Sequence, residues 1–270
     1  METREFNIHH PLEQLTNQAF FDAKIERNKV AGRKQFSEGD IRPFQGYPID
    51  FLRKQMNFIL ELDEESRVQI IERVARPLSE IAQRYNVPSI FTGFGDLPPH
   101  ITLQPANFLN MSPESQQELL TRLKSDKSHL DWISKILRCS ERTYQMNTLV
   151  LGGNMYVCTR ETYPSAYKAR KLIERIYTRG QPVEQVIYGQ EANNESSGLI
   201  PVEYKDIIHI SVGRVTEKPS NGFLSNFADE AYETVEKSIA EDPVSVRVND
   251  VFVGPSIEFF EKYATHLILK

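Results

Sequence analysis

The chain has 270 residues, of which 40% are hydrophobic and 26% charged, and its formal net charge is −5. These values are ordinary for a soluble globular protein and fit one large domain or two lobes that share a core. The acidic balance argues against a broad basic face for duplex DNA or long RNA, although a local cluster of cations could still bind a small anion.

The number of cysteines and the absence of apolar runs bear on the cellular compartment of the protein. The chain has two cysteines, Cys139 and Cys158, without the spacing of a metal site, so we predict reduced thiols in a cytoplasmic protein. The first residues contain no apolar run, and no stretch approaches the roughly 20 apolar residues of a membrane span. We therefore predict neither a signal peptide nor a membrane contact.

Residues 1–47 are predicted to form an N-terminal extension, and residues 48–270 the main domain. The extension is polar and mixed in character, and glycines and prolines near its end indicate turns. It carries a basic run that we interpret as a solvated face: Lys24, Arg27, Lys29, Arg33 and Lys34.

The main domain begins with a predicted strand at residues 56–60. Residues 64–85 carry apolar side chains at helical spacing, and Pro77 is expected to kink or split that helix. Two glycines and two prolines within residues 93–99 predict a flexible loop that leads directly into residue 100. A further helix is predicted to begin at Pro113, after a capping serine.

The second half of the chain alternates strands, helices and one long loop. Two strands around a Gly-Gly-Asn turn predict a β-hairpin, and a polar segment is expected to border a cleft as a lid. These elements are a hairpin at 146–159, a helix at 163–179, a polar loop at 190–198, a helix at 226–240, strands between 244 and 253, and a last strand at 265–269.

One pattern, His-apolar-hydroxyl-apolar, occurs twice: His-Ile-Thr-Leu from residue 100 and His-Ile-Ser-Val from residue 209. Because side chains alternate along a strand, His100 and Thr102 would share one face while their apolar neighbours face a core. His209 and Ser211 repeat this arrangement. Side chains two residues apart on a strand lie about 7 Å from each other, so an imidazole and a hydroxyl could reach one tetrahedral anion. The pair of motifs predicts acid–base chemistry at a phosphate.

The residue types suit displacement at phosphorus. Histidine can act as base or acid because its pKa lies near the working pH, and the residues alone leave these two roles interchangeable. Thr102 and Ser211 could donate hydrogen bonds to the nonbridging oxygens. Two further side chains are candidate substrate-binding groups. Gln104 continues the cleft-facing side of the first strand, whereas Arg214 would face the core unless the second strand ends or bulges.

These paired motifs resemble those of the two-histidine phosphoesterase superfamily, which includes LigT-like cyclic phosphodiesterases and 2′,5′-phosphodiesterases. Arg214 is similar to an arginine often found just after the second motif. The resemblance covers residues 50–270, while the extension and the length depart from the smaller members. It implies an α+β, bilobal fold, with two pseudo-symmetric lobes whose antiparallel sheets line a central cleft and with helices outside. A weak symmetry of elements after each motif is compatible with it.

The resemblance also implies a function. It predicts chemistry without a metal or cofactor at a phosphodiester, commonly a cyclic phosphate or a 2′–5′ linkage in a small nucleotide or RNA end. By resemblance, His209 is the base and His100 the acid. Three alternatives stay open: cleavage of a cyclic di- or oligonucleotide signal, a binding module that sequesters nucleotides, and a metal site on the two histidines. The last lacks a third ligand at recognisable spacing. The sequence predicts no oligomeric state.

Overall fold

A large sheet organises this α+β protein, described here from a computed structural model. The structure describes residues 18–103, 113–125, 131, 135, 144–161, 168–169, 172–173, 175–176, 183–186, 200–203, 208–220 and 224–269. The α-helices are α1 (Gln18–Glu38), α2 (Ile49–Lys54), α3 (Glu64–Ile70), α4 (Arg76–Arg84), α5 (Pro113–Ser125), α6 (Leu224–Glu241) and α7 (Ser256–Tyr263).

The strands are numbered in chain order. They are β1 (Tyr47–Pro48), β2 (Met56–Leu62), β3 (Ser89–Thr92), β4 (Gly95–Asp96), β5 (His100–Thr102), β6 (Tyr144–Val150), β7 (Asn154–Glu161), β8 (Val183–Val186), β9 (Ile200–Glu203), β10 (His209–Val215), β11 (Ser245–Val246), β12 (Val248–Pro255) and β13 (Ile268–Leu269). The predicted hairpin is confirmed as β6 and β7, which pair in antiparallel fashion. The described residues of the predicted helix at 163–179 are helical.

Nine of the described strands form one sheet. Seven follow the order β11-β6-β7-β10-β5-β2-β12, while β3 pairs with β10 and with β4. Every pairing in this sheet is antiparallel except that of β3 with β4. The two motif strands, β5 and β10, are neighbours at its centre. The predicted α+β class is therefore confirmed, whereas the single sheet does not show two pseudo-symmetric lobes, which stay a prediction.

One face of the sheet carries the main hydrophobic core. Ile101 and Ile210 from the two motif strands are fully buried there, beside helix α6, which contributes Phe227 and Val235. The apolar residues of α6 recur at helical spacing, and this spacing directs one stripe of the helix into the core. The core thus fixes which face of each motif strand is left for chemistry.

The predicted helix at 64–85 is interrupted just before Pro77. Asp63 caps α3 by accepting a hydrogen bond from the Ser66 amide at 2.8 Å, and a π-helical turn, Ile71–Ala75, separates α3 from α4. Proline has no amide hydrogen to donate, and its ring would clash with the carbonyl of Arg73 in a regular helix. The π-helical turn lies directly before Pro77 and residues 64–84 stay helical throughout, so the helix is interrupted but not split in two, and a kink stays a prediction.

A smaller core covers part of the opposite face of the sheet. It contains Ile59 of β2, Leu52 of α2 and Phe259 of α7. Helix α7 was not predicted from the sequence. It is eight residues long, follows a proline and contains apolar and aromatic residues. Residues 265–269 were wrongly predicted as one strand. Because the Leu267 amide bonds the Ala264 carbonyl at 3.0 Å, a 3-10 turn, Thr265–Leu267, precedes the short strand β13.

Helix α1 shows that part of the predicted extension is packed on the sheet. Phe36 is fully buried in the main core, and Ile25 packs with Val150 and Cys158. Lys29, from the basic run, pairs with Glu236 of α6 at 2.6 Å. The division at residue 47 stays a prediction. Among the described helices, none is long and apolar enough to cross a membrane.

Candidate active site

The register of β5 and β10 brings the two motifs together. Ile210 lies opposite Ile101 in an antiparallel pair. Because partners in such a pair advance in opposite directions, Ser211 lies opposite His100 and His209 lies opposite Thr102. Side chains directly opposite are about 5 Å apart at Cβ, and diagonal ones about 7–8 Å. The two histidines therefore occupy one diagonal of a four-residue patch, and the two hydroxyls occupy the other.

Burial alternates along both strands as the motif predicts. His100, Thr102, His209 and Ser211 are partly exposed, whereas the isoleucine between each pair is fully buried. The four polar side chains therefore stand on the face opposite the main core, where a substrate could meet all of them. This patch of four residues is called the His-hydroxyl patch below.

The orientation of His100 is set by the segment just before it. Its Nδ1 lies 2.8 Å from the carbonyl oxygen of Pro98. A carbonyl oxygen can only accept, so Nδ1 carries the hydrogen, and a proton exchanged with a substrate would pass through Nε2. The imidazole also lies beside Phe259, with 5.3 Å between the ring centroids. His100 is thus held from two sides.

Residues 93–99 were predicted to be a flexible loop, but they contain the short strand β4, which pairs with β3. Two hydrogen bonds fix the next turn. The Thr92 hydroxyl donates to the Leu97 carbonyl at 2.5 Å, and the Leu97 amide donates to Asp96 Oδ1 at 2.7 Å. Both contacts lie within residues 92–97, and the pattern of glycines and prolines did not predict them. They hold the Pro98 carbonyl that bonds His100.

His209 is flanked by β7. Its ring centroid lies 4.7 Å from that of Tyr156, and Cys158 lies opposite it in the strand register. The Tyr156 hydroxyl accepts a hydrogen bond from the amide of Asn28 on α1 at 3.2 Å. Burial raises the pKa of the Cys158 thiol to about 12 and raises the pKa of Tyr156 as well. Both side chains are therefore neutral near pH 7 and form an uncharged wall beside the imidazole.

A β-bulge settles which way Arg214 points. The register of β10 against β7 shifts between Ser211 and Gly213. Gly213 then faces the core, where an added Cβ would lie 2.5 Å from the ring of Phe91, so only glycine fits. The bulge adds one residue to the alternation, and Arg214 emerges on the face of the His-hydroxyl patch. Arg214 therefore lies on the cleft-facing side because β10 bulges, which is one of the two cases that the sequence analysis allowed.

Arg214 is buried and already engaged. Its Nε lies 2.9 Å from Asp96 Oδ2, and Nη1 donates to the Asn154 side-chain oxygen at 3.3 Å. The guanidinium carbon lies 5.0 Å from the ring centroid of Phe44 and 5.4 Å from that of Tyr47. Asp96 belongs to the segment that orients His100. The ion pair therefore links residues 93–99, which precede the first motif, to β10, which carries the second motif.

Other predicted groups stand as follows. Gln104 and the polar loop at 190–198 lie outside the described residues. Glu61, which the sequence reading did not single out, lies opposite His100 on β2 and accepts a hydrogen bond from the Tyr263 hydroxyl at 3.1 Å. Within the described ranges, no group of three or more His, Cys, Asp or Glu side chains could hold a metal ion. Metal independence itself stays a prediction.

Comparison with known proteins gives little further information. No protein-family model matches the chain, and no curated protein matches it significantly. One solved structure to which the fold is similar is that of Kluyveromyces marxianus Usb1. The similarity covers 76% of this chain and 99% of that chain, at 12% sequence identity and a TM-score of 0.38. Similarity at this level carries no argument about chemistry, so any functional assignment depends on the His-hydroxyl patch.

Proposed function

We propose that the protein is a metal-independent phosphodiesterase that hydrolyses a cyclic phosphate or a 2′–5′ phosphodiester in a small nucleotide or RNA end. The observation that carries this proposal is the register of β5 and β10, which sets two imidazoles and two hydroxyls in one patch. Diagonal imidazoles about 7–8 Å apart at Cβ leave room for one phosphate between them. That spacing suits an in-line displacement, in which base and acid act on opposite sides of phosphorus.

The proposed reaction needs two proton transfers. His209 takes a proton from the attacking water as the water oxygen forms a new bond to phosphorus. His100 gives the proton on its Nε2 to the leaving oxygen as the old P–O bond breaks. The Pro98 carbonyl accepts a hydrogen bond from Nδ1, so the proton that His100 gives to the leaving oxygen is the one on Nε2.

Thr102 and Ser211 are proposed to hold the nonbridging oxygens. Each hydroxyl lies across the strand pair from one histidine, so both can donate to a phosphate between the imidazoles. Charge on those oxygens must be stabilised in the transition state, and a donor already fixed on a strand needs little reorganisation. Gln104 and Arg214 stay proposed substrate-binding groups, although Asp96 already balances the charge of Arg214.

One experiment separates turnover from binding. The protein would be incubated with a 2′,3′-cyclic nucleotide, a 2′–5′ dinucleotide and a cyclic oligonucleotide, and the products would be separated by chromatography. Hydrolysis of either of the first two substrates supports the proposal. Cleavage of the cyclic oligonucleotide alone would favour a signal-degrading enzyme. Tight binding without any product would identify a sequestering module and overturn the enzymatic assignment. A cytoplasmic location rests on the sequence alone.

A further inference from the structure

A second cavity lies next to His100. It has a volume of about 410 Å³ and sits between α3, the 93–99 segment and the end of α7. A smaller cavity that His100 itself lines shares four residues with it: Arg67, Pro98, Pro99 and Tyr263. The smaller cavity measures only about 10 Å³, and it shares walls with the larger one; the two neighbouring cavities are together called the groove beside His100 below. Pockets for small ligands commonly measure about 300–1,000 Å³, so the larger cavity can hold a ligand group.

The walls of this groove combine apolar surface with the Arg67 guanidinium and the carboxylates of Glu61, Glu64 and Asp96. Val68 of α3 is 47% exposed at the cavity, and Ile71 and the two prolines add apolar surface. The Arg67 Nε is buried and has no hydrogen-bond partner among the described residues, while Nη2 of the same guanidinium pairs with Glu64 at 2.5 Å. A buried donor without a partner costs free energy, and a ligand that supplies an acceptor removes this cost.

We infer that this groove binds the leaving nucleoside of a linear phosphodiester, which makes a dinucleotide or longer oligonucleotide the preferred substrate. This inference rests on the proposed function, in which His100 protonates the leaving oxygen. The group attached to that oxygen must lie beside His100, and the groove begins there. The base packs against Val68 and the prolines, and the Arg67 Nε donates to a polar atom of the sugar or base.

The test compares two substrates that share the same scissile bond. One is a dinucleotide, and the other is the matching nucleoside methyl phosphate, in which methanol replaces the leaving nucleoside. The variant Val68→Trp fills the groove from an exposed helix position, so folding is preserved. Gln69→Trp is the matched control, because it lies on the same helix and lines neither cavity. Arg67→Gln tests the proposed donor.

The native protein should turn over the dinucleotide with a kcat/KM at least about tenfold above that of the methyl ester, as expected when one base is bound. Val68→Trp should remove most of this preference and leave the methyl ester unaffected, and Gln69→Trp should change neither. Equal rates on the two substrates in the native protein, or equal losses in Val68→Trp, would overturn the inference. Hydrolysis of cyclic phosphates alone would overturn it while the proposed function stands. If no substrate were hydrolysed, the proposed function would fail first.

Discussion

The buried ion pair between Arg214 and Asp96 should contribute strongly to stability. The two side chains are only 8% and 2% exposed, and their closest atoms lie 2.9 Å apart. Removing one partner leaves the other charge buried without compensation, which costs about 3–5 kcal/mol. Asp96→Asn and Arg214→Met should each lower the free energy of unfolding by that amount. The double variant should lose less than the sum, because it leaves neither charge unpaired.

Urea unfolding followed by circular dichroism would measure these changes. A loss of about 3–5 kcal/mol corresponds to a midpoint lower by about 1–2 M urea for a chain of this size. Asp229→Asn is the control, because it breaks an ion pair of the same length, 2.9 Å, whose side chains are 50% and 64% exposed. Exposed pairs contribute about 0–1 kcal/mol. If Asp96→Asn lowered the free energy of unfolding by no more than Asp229→Asn does, the buried pair would contribute no more to stability than an exposed one, against the prediction.

Three further predictions concern the surroundings of the His-hydroxyl patch. Tyr156→Phe keeps the ring beside His209 and should retain turnover. Tyr156→Leu should misplace the imidazole, lower kcat about tenfold or more and shift the pH profile of the rate. Equal losses in both variants would contradict a positioning role of the ring. Activity after chelation should match that of the untreated protein, and a loss restored by zinc or manganese would refute the metal-free mechanism. Because the Cys158 pKa is raised from its ordinary 9.0 to about 12, the folded state binds more protons than the unfolded state in that window, so stability should fall as pH rises from about 9 to 12. Cys158→Ala should make this fall shallower in urea titrations, and an unchanged slope would count against the buried thiol.

The sequence predicted the His-hydroxyl patch better than the parts around it. Alternation along a strand depends only on neighbouring residues, and it correctly separated His100 and His209 from the core. The bulge that turns Arg214 depends on pairing with β7, which local patterns do not encode. Tyr156, which lies beside His209, was missed for the same reason, whereas the Pro98 carbonyl lies two residues before His100 and was missed because residues 93–99 were predicted to be a flexible loop.

Two helices show a different limit of sequence reading. Helix α1 has few large apolar residues, so its buried stripe left no clear periodic signal in a polar segment. Helix α7 is only eight residues long and rich in aromatic side chains, a composition that local propensity also associates with strands. In both cases packing against the sheet stabilises a helix that the local sequence indicates weakly.

The turnover of His100→Ala, His209→Ala and the double variant tests the proposed acid–base pair most directly. Each single change should lower kcat about 10²–10⁴-fold, since each removes one positioned proton transfer. The double variant should lose less than the product of the two, and the native rate should depend on pH with two limbs that belong to the coupled pair. All variants should stay folded by circular dichroism, and His129→Ala, which changes a histidine outside both motifs, is the control. Folded single variants that retain full activity on the best substrate would contradict acid–base catalysis by these histidines.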